Sequence, residues 1–156
     1  MLFRVSVCVL LLLLGPSCLA QGLTIRVINA ADGRPLPEQK VAVSLLYEKG
    51  DEAPAKFNAH LSLETDANGE AQFRLPEPPP KHLSAHVEIN WARWHCGCGV
   101  LVATQDVIQK GIVNSAASSG QLRKSPELGR AVPGEIRFIA RPLSLFERLL
   151  GPLLKQ

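Results

Sequence analysis

Short runs in which apolar and polar side chains alternate recur along the chain, and this period of two constrains the fold more than any other feature. Successive side chains of a strand point to opposite faces of a sheet, so each run predicts a half-buried strand. The clearest run covers residues 83–91, where every second side chain is apolar. Runs of the same kind lie at residues 23–27, 41–45, 61–65, 71–75 and 136–140, and a shorter apolar run lies at 100–102.

Residues that favour turns separate these runs. The 156 residues include 12 glycines and 12 prolines without a collagen-like repeat, which is typical of a β-rich domain with many turns. Residues 29–35 are a run of turn formers, and Asn68-Gly69 is a strong turn signal between strands. Glu77-Pro78-Pro79-Pro80 is expected to cross between sheets, because proline cannot donate to a ladder.

The pattern therefore predicts an all-β sandwich with one hydrophobic core. Trp91 is expected to continue the inward face of its strand, and Trp94 to cover the edge of the core. The predicted inward-facing residues are Ile25, Val27, Val41, Val43, Leu45, Ala71, Phe73, Val87 and Ile89. Residues 48–59 are expected to form a surface loop, and Ser115–Arg130, which shows no periodicity, a mobile loop.

The first twenty residues have the pattern of a secretory signal peptide. Arg4 precedes an apolar run at residues 5–14, and Cys18 and Ala20 supply the small residues before a cleavage site. The alternatives are a lipid anchor on Cys18 and a retained apolar anchor. Cleavage after Ala20 predicts an exported protein, either secreted or periplasmic, in which Cys96 and Cys98 are the remaining cysteines. The net charge of +3 is too small to indicate nucleic-acid binding.

Residues 91–99 form the most unusual segment, because both tryptophans, both remaining cysteines and His95 lie within it. Three interpretations stay open. Cys96 and Cys98 form a disulfide, which requires Gly97 to bend the chain, since Cα atoms two residues apart in a strand lie about 7 Å from each other. Alternatively, His95, Cys96 and Cys98 bind Zn²⁺ or Cu(I) with help from His82 or His86. The third interpretation is two free or intermolecularly linked thiols.

Of these interpretations, metal binding is the least favoured. Ligands that are adjacent in one short segment rarely complete a tetrahedral site. We therefore expect no metal and no cofactor.

The tail has the period of a helix rather than a strand. Ser144 and Glu147 form a capping-box pattern at its start. We expect this amphipathic helix to dock either across the open end of the sandwich or on a membrane surface or partner. The apolar residues recur at spacings of three and four, at Leu143, Phe146, Leu149, Leu150, Leu153 and Leu154. The predicted organisation is a signal peptide at 1–20, a sandwich domain at 21–141 and the helix at 142–156.

Three stretches of the chain resemble a carboxypeptidase regulatory-like domain. Residues 27–37 contain a D-G-x-P-L-P motif, residues 41–43 are Val-Ala-Val, and residues 65–73 match T-D-x-N-G-x-A-x-F. Glu38 stands where the family usually has glycine. The resemblance covers residues 23–76 closely and 83–91 loosely. It implies an immunoglobulin-like or transthyretin-like sandwich, with each of the two motifs in a hairpin, and family members are commonly non-catalytic accessory, adhesion or export-linked modules.

No residue pattern in the sequence indicates catalysis. The chain has no G-x-S-x-G, H-E-x-x-H or phosphate-binding glycine motif. Asp66, Asn68 and Glu70 match part of a Ca²⁺ loop, but the other ligands are missing, so a turn is expected there. We therefore expect a non-enzymatic exported binding or structural module, which contacts an unidentified protein or cell-envelope partner. The alternative is a metal-binding or thiol-redox protein centred on His95, Cys96 and Cys98.

Overall fold

A computed structural model of the chain describes residues 21–48, 60–116 and 125–150, with only the backbone at residues 149 and 150. The predicted signal peptide, with the alternative lipid site at Cys18, lies outside the described residues. So do residues 49–59 of the first predicted loop, residues 117–124 of the second, and residues 151–156 of the predicted C-terminal helix. These predictions stay predictions.

The described residues form nine strands and two short helices. The strands are β1 (Gly22–Asn29), β2 (Lys40–Leu46), β3 (His60–Glu64), β4 (Glu70–Arg74), β5 (His82–Glu88), β6 (Trp94–His95), β7 (Gly99–Ala103), β8 (Ile112–Ser115) and β9 (Glu135–Pro142). The helices are α1 (Thr104–Lys110) and α2 (Leu145–Leu150).

Two sheets pack face to face. The first has the order β4-β1-β9, with β8 beside β9 and the short β6 beside the C-terminal end of β9. In this sheet β9 runs parallel to both β1 and β8. The second sheet has the order β3-β2-β5-β7 and is antiparallel throughout. The predicted all-β sandwich with a short C-terminal helix is thus the observed architecture.

The core consists of the side chains that the alternating pattern places inward. All of the predicted inward-facing residues are buried, and Phe138, Leu23 and Leu83 are among the largest side chains that are almost fully enclosed. Trp91 is the exception, because 52% of it is exposed. The strand ends before it: the carbonyl oxygen of Asn90 accepts hydrogen bonds from Arg93 N and Trp94 N, at 2.9 and 3.0 Å, and turns the chain.

The D-G-x-P-L-P motif forms a short hairpin, in which Ile28 and Pro35 make an antiparallel bridge. The T-D-x-N-G-x-A-x-F motif instead forms a turn that connects different sheets. β3 and β4 flank residues 65–69, yet β3 pairs with β2 and β4 pairs with β1. Gly69 makes the turn possible with φ of +69°, and a Cβ atom there would lie 2.6 Å from the carbonyl oxygen of Val27. Tight packing against β1 therefore takes the place of hairpin pairing.

Thr65 joins the two motifs to each other. Its buried hydroxyl donates to Leu36 O and accepts from Gln39 N, both at 2.9 Å. Between these two contacts, Glu38 adopts φ of +59°, in the left-handed region that favours glycine. The backbone conformation thus matches the glycine of the family pattern, although the side chain does not.

β9 is buried on both faces along Glu135–Ala140, which the alternation of its apolar residues does not predict. On the outer face, Arg137 donates a hydrogen bond of 2.6 Å to Glu135. Its Nη1 also lies within hydrogen-bond distance of the carbonyl oxygens of Glu127, Leu128 and Arg130. The segment at 125–130, expected to be mobile, is therefore fastened to the sheet.

Helix α1 is not predicted by the sequence pattern. It buries Val107, ends at Lys110 and is capped by Gly111, which has φ of +72°. A Cβ atom at Gly111 would lie 2.0 Å from the carbonyl oxygen of Val132, so only glycine fits between α1 and the segment before β9. The helix has seven residues, about two turns, and connects β7 to β8.

We predict that Arg137→Leu destabilises the fold by about 3 kcal/mol or more, because the buried carboxylate of Glu135 loses its partner at 2.6 Å and keeps only Arg26 at 3.8 Å, and the loop carbonyls lose their donor. Urea unfolding of the reduced protein measures this change. Arg34→Leu is the matched control, since Arg34 pairs with Asp32 at the surface with 82% of its side chain exposed. The control should change the unfolding free energy by less than about 0.5 kcal/mol. Equal losses of unfolding free energy in the two variants would contradict this structural role of Arg137.

Candidate functional site

Strand β6 brings the unusual segment next to the C-terminal helix. Trp94 pairs with Pro142 and His95 with Arg141, in an antiparallel ladder. One step beyond this ladder, Leu143 N donates to Arg93 O at 2.9 Å. The turn at residues 91–93 and helix α2 therefore leave the sandwich at the same end. We call this surface, formed by Trp91, Arg93, Leu145, Phe146 and Arg148, the β6–α2 end.

The turn at 91–93 presents one tryptophan to solvent and turns the other to the core. The Asn90 side chain accepts a hydrogen bond from Ala92 N at 3.0 Å, which adds to the backbone bonds that close the turn. Trp94 is partly buried and packs against the core, as predicted. Trp91 projects from the turn with half of its surface exposed.

Polar contacts hold helix α2 in place. The predicted capping box is present: Ser144 N donates to the Glu147 carboxylate at 2.8 Å, and Glu147 N donates to the Ser144 hydroxyl at 3.3 Å. Arg141, on β9, donates two hydrogen bonds to the two oxygens of Glu147, at 2.7 and 2.8 Å. The Arg141 guanidinium, followed by the Ser144 contacts, holds the pKa of Glu147 well below its usual range.

The Arg141–Glu147 pair orients the helix so that apolar side chains of α2 face water. Leu145 is 74% exposed and Phe146 is 71% exposed. Neighbouring residues of a helix point about 100° apart, so a helix that faces β9 with Glu147 directs Phe146 away from it. The hypothesis that this part of the apolar stripe packs on its own sandwich is therefore wrong for Phe146. The helix begins at Leu145, three residues later than the predicted start at residue 142, because β9 continues through Pro142.

Beyond β6 the chain enters the core with the Cys-Gly-Cys segment. Cys96 and Cys98 are both 5% exposed. Val87 N donates to Cys98 O at 2.8 Å, which ties the segment to β5. From β8, Asn114 Nδ2 donates to the carbonyl oxygens of Gly97 and Gly99. A Cβ atom at residue 97 would lie 2.9 Å from Asn114 Oδ1, so the clamp depends on glycine there.

Cys96 and Cys98 both face the core and are separated by one glycine. Both are free cysteines. Burial, more than any other cause, raises the pKa of both thiols, so both are protonated at neutral pH. Because the thiolate is the reactive form, the folded pair is protected from attack. A disulfide between Cys96 and Cys98 stays a prediction.

The histidines proposed as additional metal ligands lie apart from the thiols. His82 and His86 alternate along β5 with the buried Leu83, Ala85 and Val87, so they occupy its outer face, whereas Cys96 and Cys98 face the core. His95 is exposed. Within the described ranges, no three side chains of the metal-binding kinds gather into a site.

The Ca²⁺-like residues serve the turn between β3 and β4. Asp66 Oδ1 accepts hydrogen bonds from Asn68 N and Glu70 N, at 2.8 and 2.9 Å. These bonds, the one from Glu70 first, lower the pKa of Asp66. The carboxylate is thus used locally, as the turn interpretation predicts.

Two residues that shape the site were not singled out by the sequence. Asn114 lies on a strand outside the predicted set, and Arg141 follows the last predicted inward position. No periodicity distinguishes a polar residue that makes structural hydrogen bonds from an ordinary surface residue.

No described helix is long and apolar enough to cross a membrane.

We predict that the reduced protein loses stability as the pH rises above about 8.5, where an unfolded cysteine ionises. The folded Cys96 thiol keeps its proton because its pKa is raised, so the unfolded state binds fewer protons and gains stability relative to the fold. The slope should approach about 1.4 kcal/mol per pH unit for Cys96, with a further part from Cys98. Urea unfolding with a reductant at several pH values measures it. The Cys96→Ala/Cys98→Ala variant should lack this slope, and identical slopes would contradict the prediction.

Comparisons with known proteins show no family membership. No protein-family model matches the chain, and no curated protein matches it. Among solved structures, the major pilin SpaD from Corynebacterium diphtheriae is similar, with 17% identity and a TM-score of 0.41 over 79% of this chain and 30% of that one.

Two catechol 1,2-dioxygenases are also similar, each with 15% identity. The enzyme from Pseudomonas arvilla C-1 has a TM-score of 0.41 over 79% of this chain and 52% of its own. The enzyme from Acinetobacter sp. ADP1 has a TM-score of 0.37, over 86% and 56%. The chain thus spans little more than half, or less, of these proteins, and likenesses this distant carry no argument about function.

Proposed function

We propose that this chain is an exported, non-catalytic binding module of the carboxypeptidase regulatory-like type, which docks at the cell envelope through its β6–α2 end. The observation that carries the proposal is the exposure of Leu145 and Phe146 on a helix that a bidentate ion pair holds. Burying a leucine or phenylalanine side chain is worth about 1.5–3 kcal/mol. Leu145 and Phe146 are exposed on an ordered helix, so contact with a partner would gain this free energy.

The support matters as much as the exposure. Single apolar residues on a surface are ordinary. Here three large ones, Trp91, Leu145 and Phe146, lie at the same end of the sandwich, where the Arg93–Leu143 backbone bond joins the turn to the segment before α2. A pre-formed surface loses less conformational entropy on binding than a disordered one. The geometry thus favours binding over chemistry at this end.

Family membership draws support from the two motif stretches. Thr65 of one motif hydrogen-bonds to Leu36 of the other. The left-handed backbone at Glu38 supplies the conformation that glycine supplies in the family pattern. The export part of the proposal rests on the signal-peptide pattern of residues 1–20.

We expect the mature protein, residues 21–156, to bind the envelope fraction of its native cells, and the double variant Leu145→Ser/Phe146→Ser to bind at least about tenfold more weakly. Leu101→Ser is the matched control, because Leu101 on β7 is 65% exposed but belongs to the other sheet. Sedimentation with the envelope fraction at several protein concentrations gives the affinities. If the double variant and the control bind as tightly as the unaltered protein, the β6–α2 end is not the docking surface.

The second candidate function is thiol chemistry at Cys96 and Cys98, which is favoured by the presence of two free, buried cysteines separated by one glycine. Oxidation by a disulfide compound would form the Cys96–Cys98 bond, reduce the compound to two thiols and pass both protons to it. The alternative chemistry is capture of one Zn²⁺ or Cu(I) ion, with release of the thiol protons.

Mass spectrometry of the native protein separates these states, since a disulfide lowers the mass by about 2 Da and a bound metal raises it. For the reduced protein, we expect Asn114→Ala to speed thiol alkylation about tenfold, because the clamp on Gly97 and Gly99 is lost and the segment opens more often. Asn68→Ala, in the distant β3–β4 turn, is the control. Free thiols in the native protein, together with no effect of Asn114→Ala, would exclude a functional dithiol.

A further inference from the structure

We propose that the β6–α2 end binds the surface of an anionic lipid bilayer, with Trp91, Leu145 and Phe146 inserted at the interface and Arg93 and Arg148 on the lipid headgroups. This inference rests on the proposed function and names the partner of that same surface. It concerns a peripheral contact, in which a turn and a short helix touch the bilayer and the sandwich stays in water.

The apolar side chains at this end are of the kinds that suit a membrane interface. Trp91 joins a large apolar ring to an indole N–H that can stay in the wet headgroup layer. Leu145 and Phe146 are aliphatic and aromatic groups with more than two thirds of their surface exposed. Insertion of such side chains to the depth of the headgroups is how interfacial helices bind lipid.

The charges at this end are complementary to an anionic surface. Arg93 and Arg148 are exposed, and neither has an acidic partner among the described residues. The one carboxylate of α2, on Glu147, is neutralised by Arg141. The end therefore presents positive charge without a balancing negative group on the same helix. Each arginine near an anionic bilayer adds favourable electrostatic free energy.

The contacts of Glu147 also explain why this helix is ordered although it is short. An isolated helix of six residues does not form in water. Here the Ser144–Glu147 capping box and the Arg141–Glu147 pair hold it before any contact is made. Phe146 is therefore presented without the cost of folding the helix on the membrane.

The test is sedimentation of residues 21–156 with vesicles of phosphatidylglycerol and phosphatidylcholine in equal parts, compared with vesicles of phosphatidylcholine alone. We expect binding to the anionic vesicles that is several-fold tighter than to the neutral ones and that weakens with added salt. In a Trp94→Phe background, Trp91 is the sole tryptophan. Its fluorescence should shift to the blue on binding and be quenched by brominated lipid.

Variants separate the two contributions. Leu145→Ser and Phe146→Ser should each lower the partition coefficient about tenfold on anionic vesicles. Arg93→Gln and Arg148→Gln should each lower it about fivefold on anionic vesicles and leave the neutral ones unchanged. Leu101→Ser, of similar exposure on β7, should have no effect. Thermal melting of each variant shows whether the fold is intact.

Three results would overturn the inference: no binding to anionic vesicles, equal binding to both vesicle types, or equal loss in Phe146→Ser and Leu101→Ser. If vesicle binding fails but binding to the envelope fraction still requires Leu145 and Phe146, the lipid partner is wrong and the proposed docking surface stands. If envelope binding is also insensitive to these residues, both proposals are wrong.

Discussion

Strand β9 is the element on which the rest of the structure depends, because it is enclosed on both faces and paired on both edges. β1 and β8 run parallel to it on either side, and Ile136 and Phe138 point into the main core. Its outer face carries charge: Arg137 bonds to Glu135, and Arg26 of β1 contacts both Glu135 and Glu70. These ion pairs link three neighbouring strands, β4, β1 and β9.

The candidate functional site is attached to the end of this strand. β6 pairs with the last two residues of β9, and Arg141, near the end of β9, holds α2 through Glu147. Asn114 lies on β8, which also pairs with β9, and its side chain binds the Cys-Gly-Cys segment. The surface that we propose for binding and the buried thiol pair are thus both attached to β9.

The period of two predicted most of the strands and the main core, though not β6 and β8, because burial of alternate side chains is the dominant favourable term in folding such a chain. It could not predict features that depend on contacts between distant residues. Trp91 continues the pattern, yet hydrogen bonds to Asn90 end the strand before it. Arg137 has the polarity of a surface residue, but loop carbonyls that follow from the tertiary fold surround it. α1 has seven residues, and its buried residues are Thr104 and Val107. Its apolar pattern is therefore too short to recognise.

The tail shows how a local polar signal can override an apolar one. The spacing of Leu143, Phe146 and the leucines after them predicts a stripe, but not which way the stripe faces. Ser144 and Glu147 predict the cap, and Arg141, on the neighbouring strand, decides the rotation of the helix by binding the same carboxylate that forms the cap. A hydrophobic stripe has no preferred partner of its own, whereas a bidentate ion pair is directional. The orientation that leaves Phe146 exposed to water is therefore fixed by the more specific of the two interactions.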